Sequence, residues 1–490
     1  MPGKFSRRNF AKLAGLAGLG LMTPPALAQD SAVGTEPDGR APASFPSGFI
    51  WGTATSAYQI EGAVHEDGRG VSIWDTFSHT PGKIEDSTNA DRANDHYHLY
   101  KEDVGLIKNL GAKAYRFSIA WPRVFPNGDG PANPKGLDFY NRLVDELLAN
   151  GIEPYATLYH WDLPQSLQDR VGGWQSSDTS KAFGDYAGYV VERLSDRVKS
   201  FFTLNEAGRF LNFGYGWAID APGLKLPTGE LNQARHNVVL GHGLAVQAIR
   251  AKARPGTRVG LAENIAACVP AIDTPEHVHA TEIATRELNA GILGVILEGK
   301  YTEGYLDYAG KDAPKFTADE LKIIGTKIDF VGLNIYAPQF YIVPKDKKPG
   351  FDVLPFPASF PHMNSDWLRI GPETAYWVPR LTAKVWNVDT IFISENGTSS
   401  EDKISADGNV YDLDRVMYLR NYLVQLQRAI AEGAPVRGYF LWSLMDNFEW
   451  IFGFEKRFGL YRVDFETQKR IPKLSVSFYR NVIARNAVSS

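Results

Sequence analysis

The chain has 490 residues, 44% of them apolar and 22% charged, with a formal charge of −4. That is enough apolar material for one large core, and the acidic balance argues against nucleic acid or anionic lipid as a partner. No run of eighteen apolar residues occurs, so no membrane span is expected. The lone Cys268 excludes an intramolecular disulfide and reads as an inert core residue.

Residues 1–28 read as a cleavable signal peptide. Ser6-Arg7-Arg8-Asn9-Phe10-Ala11-Lys12 is a twin-arginine signature, Leu13 to Met22 is weakly apolar, and Ala26-Leu27-Ala28 offers a small-residue cleavage site. The pattern predicts export of an already folded protein to the periplasm or the medium, which a chain without disulfides suits. The leader holds four cations and no acid, so its loss takes the formal charge from −4 to −8. Residues 29–44 are small, polar and Pro/Gly-containing, and read as a disordered linker. The folded domain is expected over residues 45–485.

From Phe49 onward, strand-like apolar runs alternate with helical pattern. The strand candidates are Phe49–Ser56, Ala114–Ile119, Glu153–Tyr159, Phe201–Leu204, Arg258–Glu263, Asp329–Asn334, Thr390–Ser394 and Arg437–Ser443. Helical pattern fills the gaps, as in Asp138–Ala149, Lys181–Ser195, Arg235–Ala253 and Leu413–Ala431. Eight β-then-α units predict one α/β domain, a closed (β/α)₈ TIM barrel with long βα loops, ahead of an open doubly wound sheet. In a barrel the carboxyl ends of the strands build the site. Polar and aromatic residues gather there: Gln59, His160-Trp161, Asn205-Glu206, Asn264, Asn334, Tyr336, Glu395 and Trp442. The proline-rich stretch from Tyr336 to about Arg380 reads as a long irregular loop walling the pocket entrance.

Two glutamates sit in look-alike settings at the carboxyl ends of apolar runs, in Phe202-Thr203-Leu204-Asn205-Glu206 and Ile391-Phe392-Ile393-Ser394-Glu395-Asn396-Gly397. A carboxylate closing a buried strand is costly unless a site uses it. Two facing one cleft suit cleavage of a glycosidic bond, which needs one neutral and one ionised carboxyl. Arg116 and Tyr336 are partners for an ionised Glu395. Glu206 has no cation near it in sequence and is the better acid. The stretch Trp442-Ser443-Leu444-Met445-Asp446-Asn447-Phe448-Glu449-Trp450 offers an indole platform with a carboxylate beside it, the pairing a sugar ring needs, and His160-Trp161 adds a neutral donor and a further ring.

These motifs resemble glycoside hydrolase family 1 β-glucosidases over nearly all of residues 45–485. The resemblance rests on Phe49 to Gly62, Tyr115 to Arg123, His160-Trp161-Asp162-Leu163-Pro164, Thr203-Leu204-Asn205-Glu206, Ser394-Glu395-Asn396-Gly397 and Trp442 to Trp450. It implies a retaining mechanism, with Glu395 as nucleophile and Glu206 as acid and base. It implies that Gln59, His160, Asn205, Glu449 and Trp450 hold the glycone hydroxyls and that Trp442 lies beneath the ring. Asn334 and Tyr336 would support the nucleophile, Phe458 would close the far side, and Trp367 would flank the aglycone. A cis peptide is implied at Trp442–Ser443. Glu449 implies an unphosphorylated glycone, and Glu206, in place of Gln, implies O-glycosides.

One departure is Ala207, where the family usually has proline; it relaxes a restraint on Glu206. The segment Asn289–Gly310 departs as well. Small β-glucosides or cello-oligosaccharides are the expected partners, with no metal and no cofactor. A transglycosylase and a non-catalytic exported sugar-binding protein share these residues. A metal-dependent hydrolase has only the histidine pairs His96/His98 and His277/His279 to draw on, without matching carboxylate spacing. The choice among glucose, galactose and fucose stays open, as does the oligomeric state.

Overall fold

In the computed structural model, which describes residues 43–489, all eight predicted strands form and close on themselves. They are β1 (Ile50–Ala54), β2 (Ala114–Ser118), β3 (Glu153–Tyr159), β4 (Ser200–Asn205), β5 (Arg258–Glu263), β6 (Phe330–Asn334), β7 (Ile391–Asn396) and β8 (Val436–Trp442). Each pairs in parallel with the next, and β8 returns to β1. Both faces of such strands are covered, which is why they read as continuous apolar runs.

The helices between them follow from local chemistry. Pro134 opens Pro134–Ala149, where a missing N–H costs nothing. The Ser176 hydroxyl accepts from Asp178 N at the start of Ser177–Leu194. Thr228–Lys252 and Leu413–Ala431 complete the four helical segments expected from sequence.

Aromatic side chains fill the barrel interior. The Tyr155 ring lies 4.9 Å from Phe440 and the Phe202 ring 4.9 Å from Phe330. Glycines face them: a Cβ on Gly52 would come within 2.6 Å of Phe440, and one on Gly332 within 2.7 Å of Phe202. The register slips at the carboxyl ends, between Phe202 and Asn205 on β4 and between Ile393 and Glu395 on β7. Such bulges re-aim side chains, and these two lie where the strands deliver the paired glutamates.

Two boundaries differ from expectation. Ala43–Ser44, the end of the supposed linker, forms a short strand paired antiparallel with Ala487–Val488. Phe45 N donates to Asn486 O and Gln427 Nε2 to Ser44 O. The ordered domain therefore starts before residue 45 and runs past residue 485, because each chain end satisfies the other's backbone groups. The leader and the rest of the linker lie outside the described residues.

The stretch from Tyr336 to Arg380 is not an irregular loop. Phe340–Pro344 and Phe351–Leu354 form an antiparallel hairpin, Cys268–Pro270 adds a third strand, and the helix Thr374–Trp386 begins before the stretch ends. Ile342 and Phe351 turn inward onto Cys268, Ala280 and Ala284 in a small satellite core. That core explains the hairpin and fits the reading of Cys268, whose thiol burial pushes up to about 12. Among the described residues no helix is long and apolar enough to cross a membrane.

A buried ionic network holds the loop after β8. Lys473 Nζ lies 2.6 Å from Asp446 and 2.5 Å from Asp402, Arg415 pairs with Asp402 at 2.9 Å, and Arg457 reaches Asp446 at 2.8 Å. Asp446 also accepts from Gly459 N. Buried charges persist only when paired in this way, and here the pairing fixes the stretch from Trp442 to Trp450.

Candidate active site

Glu395 leaves β7 buried, with both oxygens occupied. Oε1 accepts from Arg116 Nη1 at 2.7 Å and Oε2 from the Tyr336 hydroxyl at 2.7 Å. Arg116 points inward from β2, fully buried, and its Nη2 donates to Asn205 Oδ1 at 2.7 Å. Glu206 follows β4 at a φ of 50°, with its N–H on Ala262 O at 2.8 Å. Its Oε1 accepts from Asn334 Nδ2 at 2.7 Å.

Arg116 and Tyr336 thus bond to Glu395, while Asn334 donates to Glu206 and also pulls the Glu395 carboxyl down, so it stands between the two glutamates. Ser394 Oγ donates to Asn334 Oδ1 at 2.7 Å, which turns the amide nitrogen toward Asn205 and Glu206. Asn205 thus connects the two carboxyls: its Oδ1 accepts from Arg116 on one side and Asn334 on the other.

Electrostatics separates the pair. Burial, then the charge of Glu395, pushes Glu206 up to about 7. Burial lifts Glu395 as well, but Arg116 and the Tyr336 hydroxyl oppose it. Both titrate as a coupled pair, and Glu395 is the member with a cation to hold its charge. One protonated and one anionic carboxyl at near-neutral pH is the state that acetal cleavage requires.

Rings and polar groups stand beside them. The His160 and Trp442 rings lie 5.8 Å apart at 19°, and Trp161 meets Trp450 at 4.5 Å. Burial and the Arg116 charge keep the His160 imidazole far below its usual value, hence neutral. Asn205 Nδ2 donates to its Nε2 at 3.1 Å, so Nδ1 carries the proton, and that atom has no hydrogen-bond partner among the described residues. Trp161 Nε1 donates to Asn205 O. Burial pushes Glu449 up to about 8, with Arg209 opposing.

Gln59 stands next to Glu449. It stands behind the cavity wall, its Nε2 facing Asn447 Oδ1 at 3.0 Å, Phe448 O at 2.9 Å and Glu449 Oε2 at 3.3 Å. The Trp442–Ser443 peptide is cis, as the resemblance implied. Trp161, Glu206 and Trp450 all have positive φ, at 78°, 50° and 52°. Such backbone costs on the order of 1–3 kcal/mol per residue and gathers at working sites.

A cavity of about 2110 Å³ opens over this floor, lined by His160, Trp161, Asn205, Glu206, Asn334, Tyr336, Glu395, Trp442, Glu449 and Trp450. Trp367 and Phe458 form its outer wall, rings 6.2 Å apart at 25°, with Tyr336 6.0 Å from Trp367. Trp367 is 43% exposed, so its ring meets solvent at the cavity. The hairpin tip contributes Lys348 and Pro349.

Two residues of the site went unread in the sequence. Arg209, one helical turn past Glu206, lies 3.5 Å from the Phe213 ring and 3.2 Å from Asp220, and its charge bears on Glu449 and Glu206. The i+3 spacing was its signal. Glu263, at the end of β5, accepts from the N–H groups of Ala207 and Gly208.

The histidine pairs are engaged separately. His96 is buried on Asp103 at 2.8 Å, His98 meets Asp95 and Glu66 at the surface, and His277 bonds Thr274. His279 stands 4.0 Å from Glu282. Among the described residues no three such groups share a metal-binding cluster.

The chain is similar to known proteins over most of its length. The chain is 43% identical over 450 residues to β-glucosidase A of Acetivibrio thermocellus, covering 90% of this chain and 99% of the relative. It is 41% identical over 446 residues to a 1,4-β-D-glucan glucohydrolase of Thermotoga neapolitana, covering 91% and 99%. A solved family 1 β-glucosidase from Thermotoga maritima superposes with a TM-score of 0.83 at 40% identity, over 92% of this chain and all of that one. The profile of glycosyl hydrolase family 1 matches residues 41–488. With its barrel, its two differently held glutamates and this similarity, the chain belongs to glycosyl hydrolase family 1.

Proposed function

We propose that the protein is a retaining β-glucosidase that releases terminal, non-reducing β-D-glucosyl residues. The observation that carries this reading is the unequal holding of two carboxyls over one indole-floored cavity: Glu395 bound by Arg116 and Tyr336, Glu206 buried on Asn334. A sugar-binding protein would have no use for that division.

The chemistry follows from the geometry. Glu206 donates its proton to the glycosidic oxygen as the Glu395 carboxylate attacks the anomeric carbon. The C–O bond to the aglycone breaks, an ester to Glu395 forms, and the aglycone leaves as an alcohol. Glu206, now anionic, takes a proton from water; the hydroxide oxygen attacks the anomeric carbon and frees Glu395. Two inversions give net retention. Trp442, His160 and Glu449 supply the ring face and polar rim for the glycone.

Glucosides and cello-oligosaccharides are the favoured substrates. The relatives named above act on β-glucosides or β-1,4-glucan by their names, and the cavity volume exceeds what one hexose fills. Glu449 disfavours a phosphate on the glycone. Proton NMR of p-nitrophenyl β-glucoside hydrolysis tests the reading. The β-anomer of glucose forms first and mutarotates later; α-glucose first, or no glucose at all, overturns it.

The leader supports a second proposal, export by the twin-arginine route to the periplasm or the medium. Arg7→Lys combined with Arg8→Lys then retains the enzyme in the cytoplasmic fraction of a bacterial host. Unchanged secretion defeats this proposal.

A further inference from the structure

The helical run that begins at Ala207 starts inside the protein, beside the acid. The first N–H groups of any helix have no partner within it, and here Glu206, the residue that must aim a proton, occupies the capping position. Its own side chain makes no capping bond. Alanine at 207 adds to the demand, since it has an N–H that proline would lack.

Glu263 meets that demand. Its Oε2 accepts from Ala207 N at 2.8 Å and its Oε1 from Gly208 N at 3.0 Å. The side chain is 97% buried, at 3% exposure. Gly208 leaves the carboxylate room: a Cβ there would stand 3.2 Å from Glu263 Oε1 and 3.4 Å from Ile292 Cδ1. The backbone is fastened on its other side as well, because Glu206 N donates to Ala262 O, on the residue before Glu263. The end of β5 therefore holds three successive N–H groups, those of Glu206, Ala207 and Gly208.

We infer that Glu263 is a positioning residue for the acid, its carboxylate clamping the backbone just past Glu206 and supplying the restraint that Ala207 does not. The inference rests on the reading of Glu206 as the proton donor. A carboxylate across two helix-start N–H groups is favourably placed for the local dipole. Burial raises the Glu263 carboxyl and the Glu206 charge adds to the push, while the two N–H groups oppose both by holding the anion. The two carboxyls thus sense each other without sharing a hydrogen bond.

The consequence is specific to the leaving group. A loosened acid slows departure of a poor leaving group and leaves departure of a good one nearly intact. The value of kcat/KM reports the glycosylation half-reaction, so its ratio for cellobiose over 2,4-dinitrophenyl β-glucoside reads the acid alone. That ratio does not depend on the folded fraction of a preparation.

The experiment measures this ratio in Glu263→Gln, with Glu206→Ala as control. The amide can accept from one N–H only, so kcat/KM for cellobiose falls by about tenfold or more while that for the dinitrophenyl glucoside falls by less than about twofold. An equal fall for both substrates, or none for either, overturns the inference. If Glu263→Gln does not fold, Gly208→Ala crowds the same clamp and must shift the ratio in the same direction; an unchanged ratio there also overturns it. If instead Glu206→Ala slows both substrates equally, the assignment of the acid itself fails.

Discussion

Glu395→Gln lowers kcat/KM on every β-glucoside by roughly 10⁴-fold or more. The amide is nearly the same size, so the cavity keeps its shape. It has no charge for Arg116 to hold at 2.7 Å and no oxygen nucleophilic enough to form the ester. Thermal stability falls as well, because the Arg116 cation is left fully buried with only neutral partners. Circular dichroism and thermal unfolding check the fold; initial rates on p-nitrophenyl β-glucoside check the chemistry. A variant within tenfold of the native rate would remove Glu395 from the mechanism.

Glu206→Ala acts more selectively. On cellobiose it lowers kcat/KM by about 10²- to 10⁴-fold, the usual contribution of a placed proton donor. On 2,4-dinitrophenyl β-glucoside kcat/KM changes far less, because that leaving group departs as an anion. Turnover on the activated substrate still drops, since water must then attack the ester without a base. The pH profile carries the same signature. Glu206 acts in its protonated form, and its carboxyl is pushed up to about 7, so the native rate on cellobiose falls as pH rises through that value. Glu395 acts as the anion, so the rate also falls when acid protonates it, and the native profile is a bell. In Glu206→Ala the alkaline limb disappears. An alkaline limb that survives near pH 7 would assign it to another group, with Glu449, pushed up to about 8, the first to examine.

Most of the barrel was legible because parallel strands buried on both faces leave an unmistakable mark, a short apolar run closed by polar residues. The paired glutamates were legible for the same reason. What the sequence withheld depends on partners distant in the chain. Ala43–Ser44 is two residues long, and only Ala487–Val488 makes it a strand. The hairpin over Phe340–Pro344 exists because Ile342 finds Cys268 and Ala284 beneath it. The way the Asn334 amide faces is set by the Ser394 hydroxyl, a partner sixty residues further along the chain.

Glu263 is the instructive case. It bears the same mark as Glu206 and Glu395, a carboxylate closing an apolar strand. Its partners, however, are main-chain N–H groups, which every residue but proline owns, and no pattern of side chains reveals which two it reaches. Arg209 was hidden differently: it lies on the turn after the catalytic strand, with Asp220 and the Phe213 ring as company drawn from farther along the same loop.

The zipped pair of end strands has a practical meaning. Ala43–Ser44 leads directly into β1, so this junction sits under the barrel, on the side away from the mouth. A support, tag or second domain attached next to Ala43 or Val488 would hang below the catalytic cup, leaving the sugar's approach path open. Ala43 and Val488 are near enough neighbours that one short bridge between them would make residues 43–488 a ring.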